Sequence, residues 1–254
     1  MLEAGKLFAV LFLGAFVIAY WVSSAQYKKT NKVPFRPLAA VEAIDEAIGR
    51  ATEMGKTVHF TCGRGTFDGQ TFAGLDVLRY VARQTALRDT TLIVTNHRAQ
   101  VHPVTEEIVR SAHLEVGKAD TYKPDNVRFI SEEQQAYVQG VYGIFEREGV
   151  VANIMIGWFF AEALQLAEVA HWVGAVQIAG TTDPAQVPFL AVACDYSLIG
   201  EEIYAAGTYL NPDHMKVGTL MAQDVCKYIV AIVSVVGSVL ITFGNKSVLD
   251  LLKR

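Results

Sequence analysis

The chain has 254 residues, 52% of them hydrophobic and 19% charged, with a formal net charge of −4. That length admits one large domain or two small ones, and the absence of any strongly basic stretch gives no reason to expect nucleic acid as a partner. Its cysteines, Cys62, Cys194 and Cys226, are too far apart for a CxxC pair or a metal-ligand cluster, which also argues against a disulfide framework.

Leu7 to Val22 reads LFAVLFLGAFVIAYWV, and the uncharged run continues to Tyr27, 21 residues in all. A helix of that length spans roughly 30 Å, the thickness of a bilayer core. Tyr20 and Trp21 suit an interface, and Lys28, Lys29, Lys32 and Arg36 follow. Ser23-Ser24-Ala25 also has the form of a signal-peptidase site with Lys6 as its basic flank, which leaves a secreted product open.

Short apolar runs then alternate with amphipathic stretches. The pattern predicts helix over Ala39–Met54, strand over Thr57–Thr61, helix over Thr71–Leu87 and strand over Thr91–Thr95. A helix over Pro103–Val116, a strand over Val127–Ile130, a helix over Glu132–Glu148 and a strand over Val150–Ile156 follow. Helix over Phe159–Val173, strands over Ala175–Ala179 and Phe189–Cys194, and a helix near Ile199–Tyr209 complete the middle of the chain. About six short, continuously apolar strands separated by helices predict an open, mostly parallel, Rossmann-like sheet flanked by helices.

Tyr228 to Phe243, with Gly244 and Asn245, forms a second uncharged run of 18 residues between Lys227 and Lys246. It predicts a second membrane helix, just long enough to cross, in which Gly237 and Ser238 would let another helix approach closely. The expected organisation is a membrane helix in residues 1–27, an α/β domain in 33–215 and a membrane helix in 218–245. Lys28, Lys29, Lys32, Arg36, Lys216 and Lys227 flank the domain side, against Lys6, Lys246, Lys253 and Arg254. The positive-inside rule therefore favours a cytoplasmic domain at the cell membrane.

In a parallel sheet, ligands bind beyond the carboxyl ends of the strands. The expected strand ends present Cys62, Gly63, Arg64 and Gly65, then His97 beside Arg98, then Gly180, Thr181 and Thr182, and finally Asp195 after the sixth strand. Glycines let backbone amides approach an anion, and Arg64 can pair with phosphate or carboxylate. Yet G-R-G-T-F-D-G places its third glycine one position late for a dinucleotide fingerprint, and no Gly-Lys-Ser/Thr follows for a phosphate loop. An inert buried thiol suits Cys62 better than a nucleophile, and His59, in a strand, reads as structural. There is no Ser-His-Asp order and no HExxH; the sequence specifies neither a catalytic residue nor a cofactor.

The segments VHFTCGRG, LIVTN, VVANIMIGWFFAEALQLAE, VQIAGTTDPAQVPF and ACDYSLIGEEIYAAGTYL, in that order, resemble the family of domain of unknown function 6754. The resemblance covers nearly the whole chain and implies a prokaryotic, membrane-associated protein without implying a chemistry. Two readings follow. One is a non-catalytic scaffold or assembly subunit on the lipid bilayer, as a homo-oligomer or within a membrane complex. The other is a binding domain or enzyme for a small anionic metabolite or nucleotide at the strand-end edge.

Overall fold

A computed structural model of the chain describes residues 7–30 and 38–243. The flanking charges Lys6, Lys32, Arg36, Lys246, Lys253 and Arg254, the pair Gly244 and Asn245, and the domain limits placed at 1, 33 and 245 lie outside the described residues. The chain divides into two compact units, one containing its first and last helices and the other spanning Phe35–Asn211.

The first unit is a pair of helices, α1 (Leu7–Thr30) and, last in the chain, α9 (His214–Thr242). Both are long and apolar enough to cross a membrane. Helix α9 begins four residues before the predicted boundary at 218 and fourteen before the uncharged run at Tyr228, because the weakly apolar stretch leading into that run is helical as well. The two helices meet through small residues. Ser23 and Ser24 of α1 are buried, as are Gly218, Ala222 and Cys226 at four-residue spacing on α9. A Cβ on Gly218 would lie 3.0 Å from that of Ser24, so the two backbones approach closely there.

The second unit is a three-layer α/β/α domain. Its elements are α2 (Ala39–Met54), β1 (Thr57–Gly63), α3 (Gly69–Leu87), β2 (Leu92–Asn96), α4 (His102–Glu115) and β3 (Val127–Phe129). There follow α5 (Gln134–Glu148), β4 (Val150–Trp158), α6 (Glu162–Trp172), β5 (Val176–Thr181), α7 (Val187–Ala193), β6 (Tyr196–Ile199) and α8 (Glu202–Leu210). All strand pairs are parallel, in the order β3-β2-β1-β4-β5-β6. Helices α2, α3, α4 and α8 share one core with Val58, Phe60, Ile154 and Ile178. Helices α5, α6 and α7 share the other, with Ile93, Met155 and Ala179.

One predicted strand is wrong. Phe189–Cys194 belongs mostly to helix α7, with Pro188 in its first turn, where a missing N–H costs nothing. The sixth strand is instead Tyr196–Ile199. The other predicted strands are present, and β1, β4 and β5 each run two residues further than their apolar cores suggested.

Candidate functional site

Strands β1 and β4 are neighbours, yet β1 leads into α3 on one face and β4 into α6 on the other. Such a switch point leaves a crevice beyond the carboxyl ends of the two strands. Here the strands stay paired as far as Gly63 opposite Trp158, and the Arg64 amide donates to the Trp158 carbonyl at 2.8 Å. The closeness depends on two glycines. A Cβ on Gly157 would overlap the Cys62 carbonyl oxygen, and one on Gly63 would overlap that of Trp158.

Beyond this point lies an open groove of about 530 Å³ lined by Arg64, Thr66, Asp68, Gly69, Gln70, Arg98, Trp158, Thr182 and Tyr204. Its floor is the start of α3, where the Asp68 carboxylate caps the helix by accepting the Thr71 amide at 2.9 Å. Gln70 Oε1 accepts both the Thr181 hydroxyl, at 3.0 Å, and the Thr182 amide, at 2.9 Å, tying the end of β5 to α3.

Arg64 is half-buried. Its Nη1 donates to Gln134 Oε1 at 3.1 Å, and its guanidinium carbon sits 5.2 Å from the Phe160 ring centroid. Its Nε is buried with no acceptor, and no carboxylate lies within 4.0 Å of it among the described residues. Arg98 is better matched: Nε donates to the Arg64 carbonyl at 3.1 Å, and Nη1 lies 3.6 Å from Glu132. A desolvated guanidinium with an unused donor is a strong site for an oxyanion.

His97, beside Arg98, is fully buried with its ring 5.0 Å from that of Tyr137. Burial lowers its pKa to about 4, helped by Arg64 and Arg98. Glu162, in the first turn of α6, is also fully buried; Oε1 accepts the Phe160 amide at 2.9 Å and Oε2 has no partner.

Below the groove a polar chain crosses the core. The Gly63 amide donates to Thr61 Oγ1 (3.1 Å), which meets the Tyr137 hydroxyl (2.7 Å), which meets Thr95 Oγ1 (2.9 Å). Thr95 in turn meets His59 Nε2 at 2.9 Å, and His59 Nδ1 meets Asn153 Oδ1 at 2.8 Å. The amide at one end can only donate and the Asn153 oxygen at the other can only accept. Every hydroxyl therefore passes its proton the same way, and His59 carries its hydrogen on Nδ1. Burial lowers the His59 pKa to about 4, so the ring is neutral at pH 7.

The structure brings eight of the nine expected site residues to this edge and separates one. Arg64 and Thr182 line the groove, with Thr181 anchored beside it. Gly63 and Gly65 shape the loop, where a Cβ on Gly65 would overlap Thr71. Cys62 packs into the core, and burial pushes its thiol up to about 12, so it is no nucleophile at neutral pH. Gly180 makes room for Ile203 of α8, and His97 lies beneath the loops. Asp195 is the correction. Because the sixth strand starts after it, Asp195 lies at the amino-terminal edge of the sheet, where Oδ2 accepts the Gln177 amide at 2.8 Å. It borders a larger groove of about 620 Å³, whose guanidinium, that of Arg50, is exposed where Arg64 is half-buried.

Sequence reasoning missed Gln70, Glu162, Tyr204 and the polar chain, though the pattern had placed Gly157-Trp158 at the end of the fourth strand. Only Gln70 was within reach, since Asp68-Gly69-Gln70-Thr71 is a helix-start sequence directly after a glycine-rich turn. No curated protein and no solved structure matches the chain. The family described as a domain of unknown function, DUF6754, matches residues 2–252, nearly the full length, and the chain belongs to that family.

Proposed function

We propose that this is a membrane-anchored α/β protein whose strand-end groove binds a small phosphate-bearing anion. The observation that carries the reading is Arg64, a half-buried guanidinium with an unused Nε and, among the described residues, no carboxylate partner, at the switch point of the sheet. Anchoring through α1 and α9 is supported by their exposure: only 11% of the most apolar window of each is buried, where a soluble core helix would be mostly covered. Lys28, Lys29, Lys216 and Lys227 favour a domain on the cytoplasmic side of a cell membrane.

The test is calorimetry and thermal shift on the full chain in mild detergent, with inorganic phosphate, pyrophosphate and nucleoside triphosphates. At least one should stabilise the domain at millimolar concentration. Arg64→Ala should weaken that ligand by about 10- to 100-fold, the worth of a charge-assisted hydrogen-bonded pair of roughly 1.5–3 kcal/mol. No stabilisation by any of these anions would remove the proposal.

A second reading, a scaffold that self-associates, rests on the edge strand β6. Exposed Ile199 lies on that strand, and α7 carries exposed Phe189 together with Val192, which is 89% exposed. Unpaired edges with apolar neighbours are pairing surfaces. Mass photometry of the detergent-extracted chain should then show a dimer or larger particle that Val192→Lys dissociates; a strictly monomeric wild type rules this reading out.

A further inference from the structure

We propose that His97 is the proton-accepting member of the anion site: an anion held between Arg64 and Arg98 draws one proton from solvent onto the His97 imidazole, so that ligand and proton bind together. This rests on the anion-binding reading above.

The contrast with His59 carries the argument. Both rings are fully buried, but His59 has a partner on each nitrogen whereas His97 has none on either. Buried polar groups left unpaired are rare and call for an explanation in ligand, water or chemistry. His97 leaves the end of β2 directly before Arg98, and the Arg98 side chain reaches across to the Arg64 carbonyl. The groups facing the ring are Arg64 from the β1 loop, Arg98 from its own loop, Glu132 and Glu133 from the start of α5, and Tyr137 within α5. Glu132 is engaged, accepting the Ala99 amide and flanking Arg98. Glu133 caps α5 through the Gln135 and Ala136 amides.

In the free protein, burial and the two guanidinium groups keep the ring neutral, with its pKa near 4. An anion between the arginines cancels their repulsion of a protonated ring. Linkage then works both ways: the anion raises the affinity for the proton, and the proton raises the affinity for the anion. The sign is fixed. Anion binding strengthens as pH falls towards 5 and is insensitive to pH well above the pKa of the bound state.

Sulfate is the probe, because it keeps its charge throughout this range. Calorimetry on the full chain at pH 5.5, in two buffers of different ionisation enthalpy, reads the protons taken up per sulfate bound. The expected result is a net uptake of up to one proton, with sulfate affinity rising between pH 7 and 5 by up to about tenfold per pH unit. His97→Gln keeps a hydrogen-bonding side chain but cannot titrate, and should flatten both readouts; this also separates His97 from Glu132 and Glu133. Sulfate binding without proton uptake, or a pH dependence that survives in His97→Gln, overturns the inference and leaves the anion site standing. If His97→Gln does not fold, the wild-type proton count decides alone. No sulfate binding by the wild type at any pH overturns this inference, whereas the anion site itself stands or falls with the phosphate, pyrophosphate and nucleotide titrations.

Discussion

Gly157→Ala is expected to destabilise the α/β domain by about 3–5 kcal/mol. Two causes add. The backbone at Gly157 has φ +155°, which side-chain-bearing residues rarely adopt, and the new Cβ would overlap the Cys62 carbonyl oxygen. A backbone atom of a paired central strand cannot step aside as a flexible side chain can, so relief requires the ends of β1 and β4 to part. Gly174→Ala is the matched control: φ is +70°, but nothing lies within 4 Å of the added carbon. That variant should cost only about 1 kcal/mol, the ordinary penalty of the left-handed conformation. Denaturant midpoints of the two variants give the comparison directly. Equal losses would mean that the close approach of β1 and β4 contributes nothing. Because Arg64 begins where the strands separate, Gly157→Ala should also weaken anion binding, whereas Gly174→Ala should not.

The second large effect is on acid stability. His59 ordinarily titrates near 6.5 but is held to about 4 in the folded domain. The unfolded chain therefore takes up the proton first as pH falls. Stability is complete above about pH 6.5, declines from there to about pH 4, and levels off below. Over the whole interval the loss is on the order of 3 kcal/mol, with about 2 kcal/mol of it between pH 7 and 5. His97, lowered in the same direction, adds to the slope. Equilibrium unfolding of the full chain at pH 7, 6 and 5, read by tryptophan fluorescence, measures it. His59→Gln should be less stable at pH 7, since it interrupts the polar chain, yet less sensitive to acid. A variant with the wild-type pH slope would show that His59 does not set it.

The layered architecture was legible because its causes are local. Helical spacing in Ala39–Met54, the glycine after Glu148 and short apolar runs between helices each report a nearby constraint. Phe189–Cys194 was misread for the same reason: six apolar residues fit a buried strand or a short helix equally, and only packing of Leu190 onto the second core decides. The Asp195 error followed from it. Arg64 was legible because glycines on both sides mark a strand-end turn. The polar chain was not, since His59 meets Asn153 across 94 positions of sequence and Tyr137 joins Thr61 across 76. No periodicity records such a pairing. Glu162 was hidden in an apolar helix start, where a carboxylate reads as a surface residue until its burial is seen.

The pairing of α1 with α9 has a bearing on how the protein is made. Ser24 and Gly218 meet across a loop that contains the entire α/β domain, about 180 residues of chain. At a synthesis rate of ~5–20 residues per second, α1 waits roughly 10–40 s for its partner. All of the domain's strands precede α9 in the chain, so they are synthesised within that interval. The helix pair is thus the last part of the molecule to assemble, and during the wait the Ser23–Ser24 face of α1 is open to any other helix that presents small residues.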